Sequence, residues 1–157
     1  MDCFVALGGN IGNVKKNLEE AACRIAHLPG ISAFRLSSFY LTKPFYPTPQ
    51  PDFLNACCRF ECTLSPHRLF SSLQEIERAL GKPSKPRDHP RIVDLDLLFF
   101  GEESIFEKDL IIPHPRWHER LFVVRPLSDI VRFLPFGIDV HKLLEALNDR
   151  DLRTVCD

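Results

Sequence analysis

Residues 91–101 read RIVDLDLLFFG, an apolar run interrupted by two acids two positions apart, and no other stretch limits the fold as tightly. In an extended strand side chains alternate between faces, so Val93, Leu95, Leu97 and Phe99 are expected on one face and Asp94 and Asp96 together on the other. A strand this apolar suits the interior of a sheet. There, two neighbouring like charges cost electrostatic and desolvation energy unless something compensates. The strand alone admits two readings: a half-exposed face with two solvated acids, or a divalent cation held by both carboxylates. Magnesium suits the second, because it takes one or two carboxylates and completes its shell with water and phosphate oxygens.

The segment before this strand favours the cation. Lys82-Pro83-Ser84-Lys85-Pro86-Arg87-Asp88-His89-Pro90-Arg91 sets four cations and three prolines directly ahead of the acid pair. Cations beside acids fit a site that holds a polyphosphate together with its metal. The totals are otherwise neutral: 157 residues suit one domain, 1–157, and 20 basic against 21 acidic residues give a net charge of -1. No global field points to nucleic acid or to a membrane surface. The six cysteines, Cys3, Cys23, Cys57, Cys58, Cys62 and Cys156, form neither a CxxC pair nor a zinc spacing. Most sit in apolar runs and read as small buried hydrophobes in a reducing compartment, the cytoplasm. No run approaches the ~18 apolar residues of a membrane span, and a basic leader is missing, so the chain is expected to be soluble.

Cys3 to Leu7 is a short apolar strand running into Gly8-Gly9-Asn10-Ile11-Gly12-Asn13. That turn lacks the spacing of a P-loop or a dinucleotide fingerprint, and close packing of helix on strand is its simpler explanation. A helix follows, capped by Asn13, with Val14, Leu18, Ala21, Ala22, Ile25 and Leu28 at helical spacing. Ile31 to Leu41 reads as a second strand, and Thr42 to Pro51 as a proline-rich loop that holds Phe45 and Tyr46. From Phe53 to Leu64 the alternation is clean, with Leu54, Ala56, Cys58, Phe60, Cys62 and Leu64 inward. Phe53 and Asn55 share the opposite face, where they could hold a flat polar heterocycle or be ordinary surface residues. Ser65-Pro66 starts a second helix with a Leu69, Leu73, Ile76, Leu80 stripe that ends at Gly81. Gln74 and Glu77 sit three apart on its flank and could reach one ligand, although a solvated flank explains them as well.

Short pairing segments are expected around residues 104–106 and 110–112. After them, Pro113-His114-Pro115-Arg116-Trp117-His118-Glu119-Arg120 packs rigid, cationic and titratable groups together, and Phe122 is a candidate wall for a ring. The tail closes with a helix capped by Asp139. The first six elements, strand, helix, strand, strand, helix, strand, give the expected fold. It is α+β, a ferredoxin-like βαββαβ core with an antiparallel sheet, helices on one face and a C-terminal extension.

The strings LGGNIGN, DFLNA, IERALGK, PRIVDLDLLFFG and LIIPHPRWHERLFVVRPLSDI together resemble the 6-hydroxymethyl-7,8-dihydropterin pyrophosphokinases of folate synthesis, over Leu7 to Ile130. The resemblance implies a ferredoxin-like enzyme that moves a pyrophosphoryl group from ATP to the pterin hydroxymethyl oxygen, releases AMP and uses two magnesium ions. It implies Asp94 and Asp96 as metal ligands and, with Arg91, as catalytic residues. It implies Thr42, Phe45, Phe53, Asn55 and Phe122 around the pterin. ATP would meet Phe70, Gln74, Glu77, Lys82, Lys85, Arg87, Arg91, Leu97, His114 and Arg120. Many relatives carry Arg-Trp-Gly-Pro-Arg where this chain has Arg87-Asp88-His89-Pro90-Arg91, and proline is frequent where Lys43 stands. The expected partners are the two small-molecule substrates, with neither nucleic acid nor membrane. The chain would act as a monomer or as one domain of a fused folate-pathway enzyme. A non-catalytic RNA-binding module of the same fold is the competing reading, and the paired acids and near-neutral charge oppose it.

Overall fold

The computed structural model describes residues 1–43, 49–81 and 91–147 and the backbone of 152–155. The chain opens with β1 (Asp2–Gly9) and α1 (Val14–Ala26), then β2 (Ile31–Leu36), β3 (Phe39–Thr42) and β4 (Phe53–Cys62). It continues through α2 (Pro66–Ala79) and β5 (Asp94–Phe100). A short hairpin of β6 (Ile105–Phe106) and β7 (Ile111–Ile112) follows, then α3 (Leu121–Ile130). A second hairpin, β8 (Phe133–Leu134) with β9 (Ile138–Asp139), precedes α4 (Val140–Ala146) and β10 (Leu152–Val155). The main sheet runs β10-β3-β4-β1-β5, antiparallel at every pairing, with β2 sharing the β3 side of β4. The fold is therefore α+β with an antiparallel sheet, as the residues led us to expect.

The helices start where their caps dictate. The Asn13 side chain accepts from Lys16 N, Ser65 accepts from Arg68 N with Pro66 at the first turn, and Asp139 accepts from His141 N and Lys142 N. Leu18, Ala21, Ala22 and Ile25 of α1 join Leu69, Leu73 and Ile76 of α2 over one sheet face. That face presents Val5 and Leu7 of β1, Leu54 to Cys62 at alternate positions of β4, and Val93, Leu95 and Leu97.

Helices do not keep to one side, in contrast to the expectation from element order. Val123, Val124, Leu127 and Ile130 of α3, with Trp117 and Val140, cover Phe4, Ala6, Cys57, Leu98 and Phe99 on the second face. α3 escaped the sequence reading because Pro126 lies inside it, and such a proline removes an intrahelical donor. Its apolar side is wide enough to hold the helix on the sheet regardless.

Two strands also differ from the simple pattern. Phe99 was expected beside Leu97, but the β1–β5 register passes from Phe4↔Phe99 to Val5↔Leu97, which leaves Leu98 as a bulge. The extra residue turns Phe99 to the α3 face, where its ring meets Phe4 edge-on at 6.1 Å and Trp117 at 5.1 Å. The single strand expected over 31–41 is broken between β2 and β3. At the break the Ser37 hydroxyl accepts from Cys57 N at 2.9 Å and donates to Ser38 O at 2.8 Å, so a side chain takes over part of the ladder.

Candidate active site

The register of the sheet assembles the site. Asp94 stands opposite Gly8, Gly8 opposite Asn55, and Asn55 opposite Tyr40, while Asp96 stands opposite Ala6. Residues directly opposite on neighbouring strands share a face, so both acids and the amide look out on the α3 side. Gly8 and Ala6 between them add almost no side chain, which leaves a trough over the middle strand. Two strand spacings separate Asp94 from Asn55, about 10 Å. α3 begins beyond this trough, and its first turn supplies the wall through Phe122 and Val123.

The result is a cleft of about 420 Å³. It gathers Thr42, Phe53, Asn55 and Phe122 with Arg91, Asp94, Asp96, His114 and Arg120, which come from five separate segments. Asn55 is 5% exposed, and its Nδ2 is buried with no hydrogen-bond partner. A Cβ on Gly8 would stand 2.9 Å from Asn55 Oδ1, so the glycine makes the seat for that amide. A buried donor without an acceptor is costly in a folded chain and marks a place for a ligand acceptor. The Arg120 guanidinium lies 5.8 Å from the Phe122 ring centroid, which ties the cationic side of the cleft to the aromatic one.

A second cleft of about 210 Å³ adjoins the first and shares Asp96 and His114 with it. Phe70 and Leu97 give it an apolar floor, and Lys108, Asp109, Leu110 and Ile111 bring backbone and charge from the β6–β7 hairpin. His114 is set at the junction. Its backbone N donates to Leu98 O at 3.0 Å, and its Nδ1 accepts from Arg116 N at 3.3 Å, so the neutral ring carries its proton on Nε2.

Two of the residues singled out in the sequence line neither cleft. Gln74 is half-buried on α2, and Glu77 is 8% exposed, with Oε2 accepting from Leu95 N at 2.7 Å. Glu77 is thus no solvated flank: it satisfies a donor of the edge strand between the two acids. Phe45, Lys82, Lys85 and Arg87 lie outside the described residues. Among the described residues no three His, Cys, Asp or Glu side chains converge as a metal cage. A cation here would rest on the Asp94 and Asp96 carboxylates and on oxygens that the protein does not supply, which is magnesium's habit. Burial holds the Cys57 and Cys58 thiols well above the usual range; Cys57 packs under α3, Cys58 packs on the α1/α2 face, and neither lines a cleft.

The sequence reading missed Asn10. It is 2% exposed and links the turn after β1 to residues 50, 51 and 91. It also mistook the reason for the glycines before it. A Cβ on Gly9 would lie 2.4 Å from Ile92 O, so this glycine admits the backbone leading to the acid strand and not a helix. An asparagine directly after two glycines was the one signal available.

Comparisons with known proteins show the family. The family model described as 7,8-dihydro-6-hydroxymethylpterin-pyrophosphokinase (HPPK) matches residues 4–132. A 2-amino-4-hydroxy-6-hydroxymethyldihydropteridine pyrophosphokinase of Haemophilus influenzae is 39% identical over 151 residues, covering 95% of this chain and 94% of its own length. The enzyme of that name from Synechocystis sp. is 42% identical over 126 residues, which cover 80% of this chain and 64% of the relative. The folic acid synthesis protein fol1 of Pneumocystis carinii is 37% identical over 97% of this chain, but this chain spans only 21% of that protein. Among solved structures, wild-type HPPK-DHPS of Plasmodium falciparum with SDX-DHP aligns with a TM-score of 0.72 at 13% identity, over 98% of this chain and 47% of that one. At that identity the likeness is one of fold.

Proposed function

The chain belongs to the 7,8-dihydro-6-hydroxymethylpterin-pyrophosphokinase family, and from that premise we propose that it transfers pyrophosphate from ATP to 6-hydroxymethyl-7,8-dihydropterin, releasing AMP. The observation that carries the reading is the buried, unpartnered Asn55 Nδ2 in a cleft that also holds Asp94 and Asp96. A pterin ring between Phe53 and Phe122, beside Thr42, gives that amide an acceptor on its edge and stacks its faces. Its hydroxymethyl group then points along the trough towards the acid pair. ATP takes the adjoining cleft, its base against Phe70 and Leu97 and its phosphates turned towards His114, Arg91 and Arg120.

The hydroxymethyl oxygen attacks the β-phosphorus, the bond from that phosphorus to the bridging oxygen of AMP breaks, and the hydroxyl proton is lost. Transfer between phosphorus centres asks a protein for alignment and charge neutralisation more than for covalent help. Magnesium held by Asp94 and Asp96 would neutralise the phosphate oxygens and help the hydroxyl lose its proton. Arg91 and Arg120 offset charge that spreads onto the oxygens during transfer, and His114 Nε2–H is a donor for one of them.

The strand order β5-β1-β4 followed by β2 and β3, all antiparallel, supports a ferredoxin-like scaffold. Relatives such as fol1 and the HPPK-DHPS proteins support a role as one domain of a longer folate-synthesis protein. Among the described residues no helix is long and apolar enough to cross a membrane, and the buried thiols of Cys3, Cys57, Cys58 and Cys62 support a reducing setting, the cytoplasm. The reading is tested by following AMP release with magnesium, ATP and the reduced pterin. Asp94→Ala and Asp96→Ala should each slow turnover by about a thousandfold. Turnover within a few-fold of the wild type in both variants would remove the metal assignment.

A further inference from the structure

We propose that Asn10 is a positioning residue that holds the pterin side and the phosphate side of the cleft in register. Its carboxamide is bonded in both directions. Nδ2 donates to Gln50 Oε1 at 2.8 Å and to Pro51 O at 2.9 Å, and Oδ1 accepts from Arg91 N at 2.8 Å. The backbone adds to the grip on one side, with Asn10 N and Ile11 N donating to Arg91 O at 2.8 and 3.2 Å. The side chain is 2% exposed and lines neither cleft, so it reaches a ligand only through the segments that it joins.

Those segments carry different halves of the site. Gln50 and Pro51 lie just ahead of β4, whose first and third residues are Phe53 and Asn55, with their aromatic face and ring-reading amide. Arg91 stands just before Asp94 and Asp96, on the phosphate side. β1 separates the two strands, and its Gly8 contributes no side chain that would fix one against the other. Gly9 allows the approach, since any Cβ there would run into Ile92 O. One amide therefore spans a gap across which the reacting oxygen and phosphorus must be aligned, and transfer is sensitive to misplacement of about 1 Å. Any shift that one ligand imposes on its own segment passes through the same hydrogen bonds to the other, which makes the two binding events energetically coupled.

Asn10→Asp separates positioning from plain stability. It keeps an oxygen for Arg91 N but sets a second, anionic oxygen against the Pro51 carbonyl, which cannot become a donor. Asn10→Ala removes both directions at once.

Two measurements on the full chain decide the matter, the first without any ligand. Amide hydrogen exchange in Asn10→Asp is expected to rise at Gln50, Asp52 and Phe53 and to stay as in the wild type at 91–94, whereas Asn10→Ala raises both. Unchanged exchange at Gln50, Asp52 and Phe53 in Asn10→Asp, or equal rises at both segments, overturns the bridge. The second arm rests on the pyrophosphokinase reading. In Asn10→Asp, kcat should fall about a hundredfold with the KM for ATP held within about threefold. The tightening of pterin binding by a non-hydrolysable ATP analogue with magnesium should shrink about tenfold. A variant that lowers both affinities in parallel with its melting temperature, or that keeps kcat and coupling within about twofold of the wild type, overturns the positioning role. A wild-type chain that neither binds the pterin nor forms AMP sinks the functional reading instead, and the exchange arm still judges Asn10.

Discussion

The two faces of the sheet are built from the same strands and do different work. On the α1/α2 face, β4 alternates Leu54, Ala56, Cys58, Phe60 and Cys62 without a break, and two helices seal it from end to end. On the other face the same strand changes character along its length, from Arg59 through the buried Cys57 to Asn55 and Phe53. α3 covers the part that holds Phe4, Cys57 and Phe99 and stops where the polar part begins. A site needs both conditions: a rigid platform fixed from behind, and a roof that ends early. Side chains on the sealed face are therefore expected to govern stability, and those under the missing roof to govern activity at little cost in stability.

Phe60→Ala is the hardest test on the sealed face. Its ring is 1% exposed and lies 6.3 Å from that of Phe34, so truncation should cost about 3–5 kcal/mol in a denaturant titration while substrate KM values stay put. Asn55→Ala probes the open part of the other face and should do the reverse. Turnover should fall about a hundredfold with pterin KM rising, while stability holds or improves because a buried orphan donor has gone. A loss of stability without loss of activity would show that the amide is a structural group. Glu77 lies where the two faces meet. Glu77→Ala leaves Leu95 N without its acceptor and should cost about 1–3 kcal/mol, and Glu77→Gln, which keeps an acceptor oxygen, should cost less.

The smallest effect is expected at Tyr40, in the same row as Asn55 but under α3. Its hydroxyl donates to Asp129 Oδ2 at 2.7 Å and so ties α3 to β3. Burial, and then the Asp129 carboxylate, push its phenol up to about 12. The folded chain thus keeps this proton where the unfolded chain, titrating near the ordinary value of 10, has lost it. That contribution is complete below pH 10 and drains away as pH rises from 10 towards about 12. Tyr40→Phe should lower stability by about 1 kcal/mol at neutral pH and flatten the alkaline decline, read from melting curves across that range.

The sealed face was the more legible in advance. Strict alternation in β4, the helical stripes of α1 and α2 and the caps Asn13, Ser65 and Asp139 are local signals, and each appears where its chemistry puts it. On the other face, α3 was hidden by Pro126, and the facing of Phe99 was reversed by one unpaired residue, Leu98. The candidate site fell between these extremes. Asp94, Asp96, Phe53, Asn55, His114, Arg120 and Phe122 do converge on one cleft, whereas Gln74 and Glu77 line neither cleft and Asn10 went unnoticed.

By itself the sequence determined which residues alternate, where helices begin and that two acids must be neighbours, because these follow from periods of two and 3.6 and from donors within a few positions. Only the tertiary structure decided that Gly8 would lie between Asp94 and Asn55 and Ala6 between Asp96 and Cys57, that a bulge would re-aim Phe99, and that Asn10 would join residues 50, 51 and 91. Register and buried side-chain bonds depend on partners far away in the chain, and no local pattern encodes the partner.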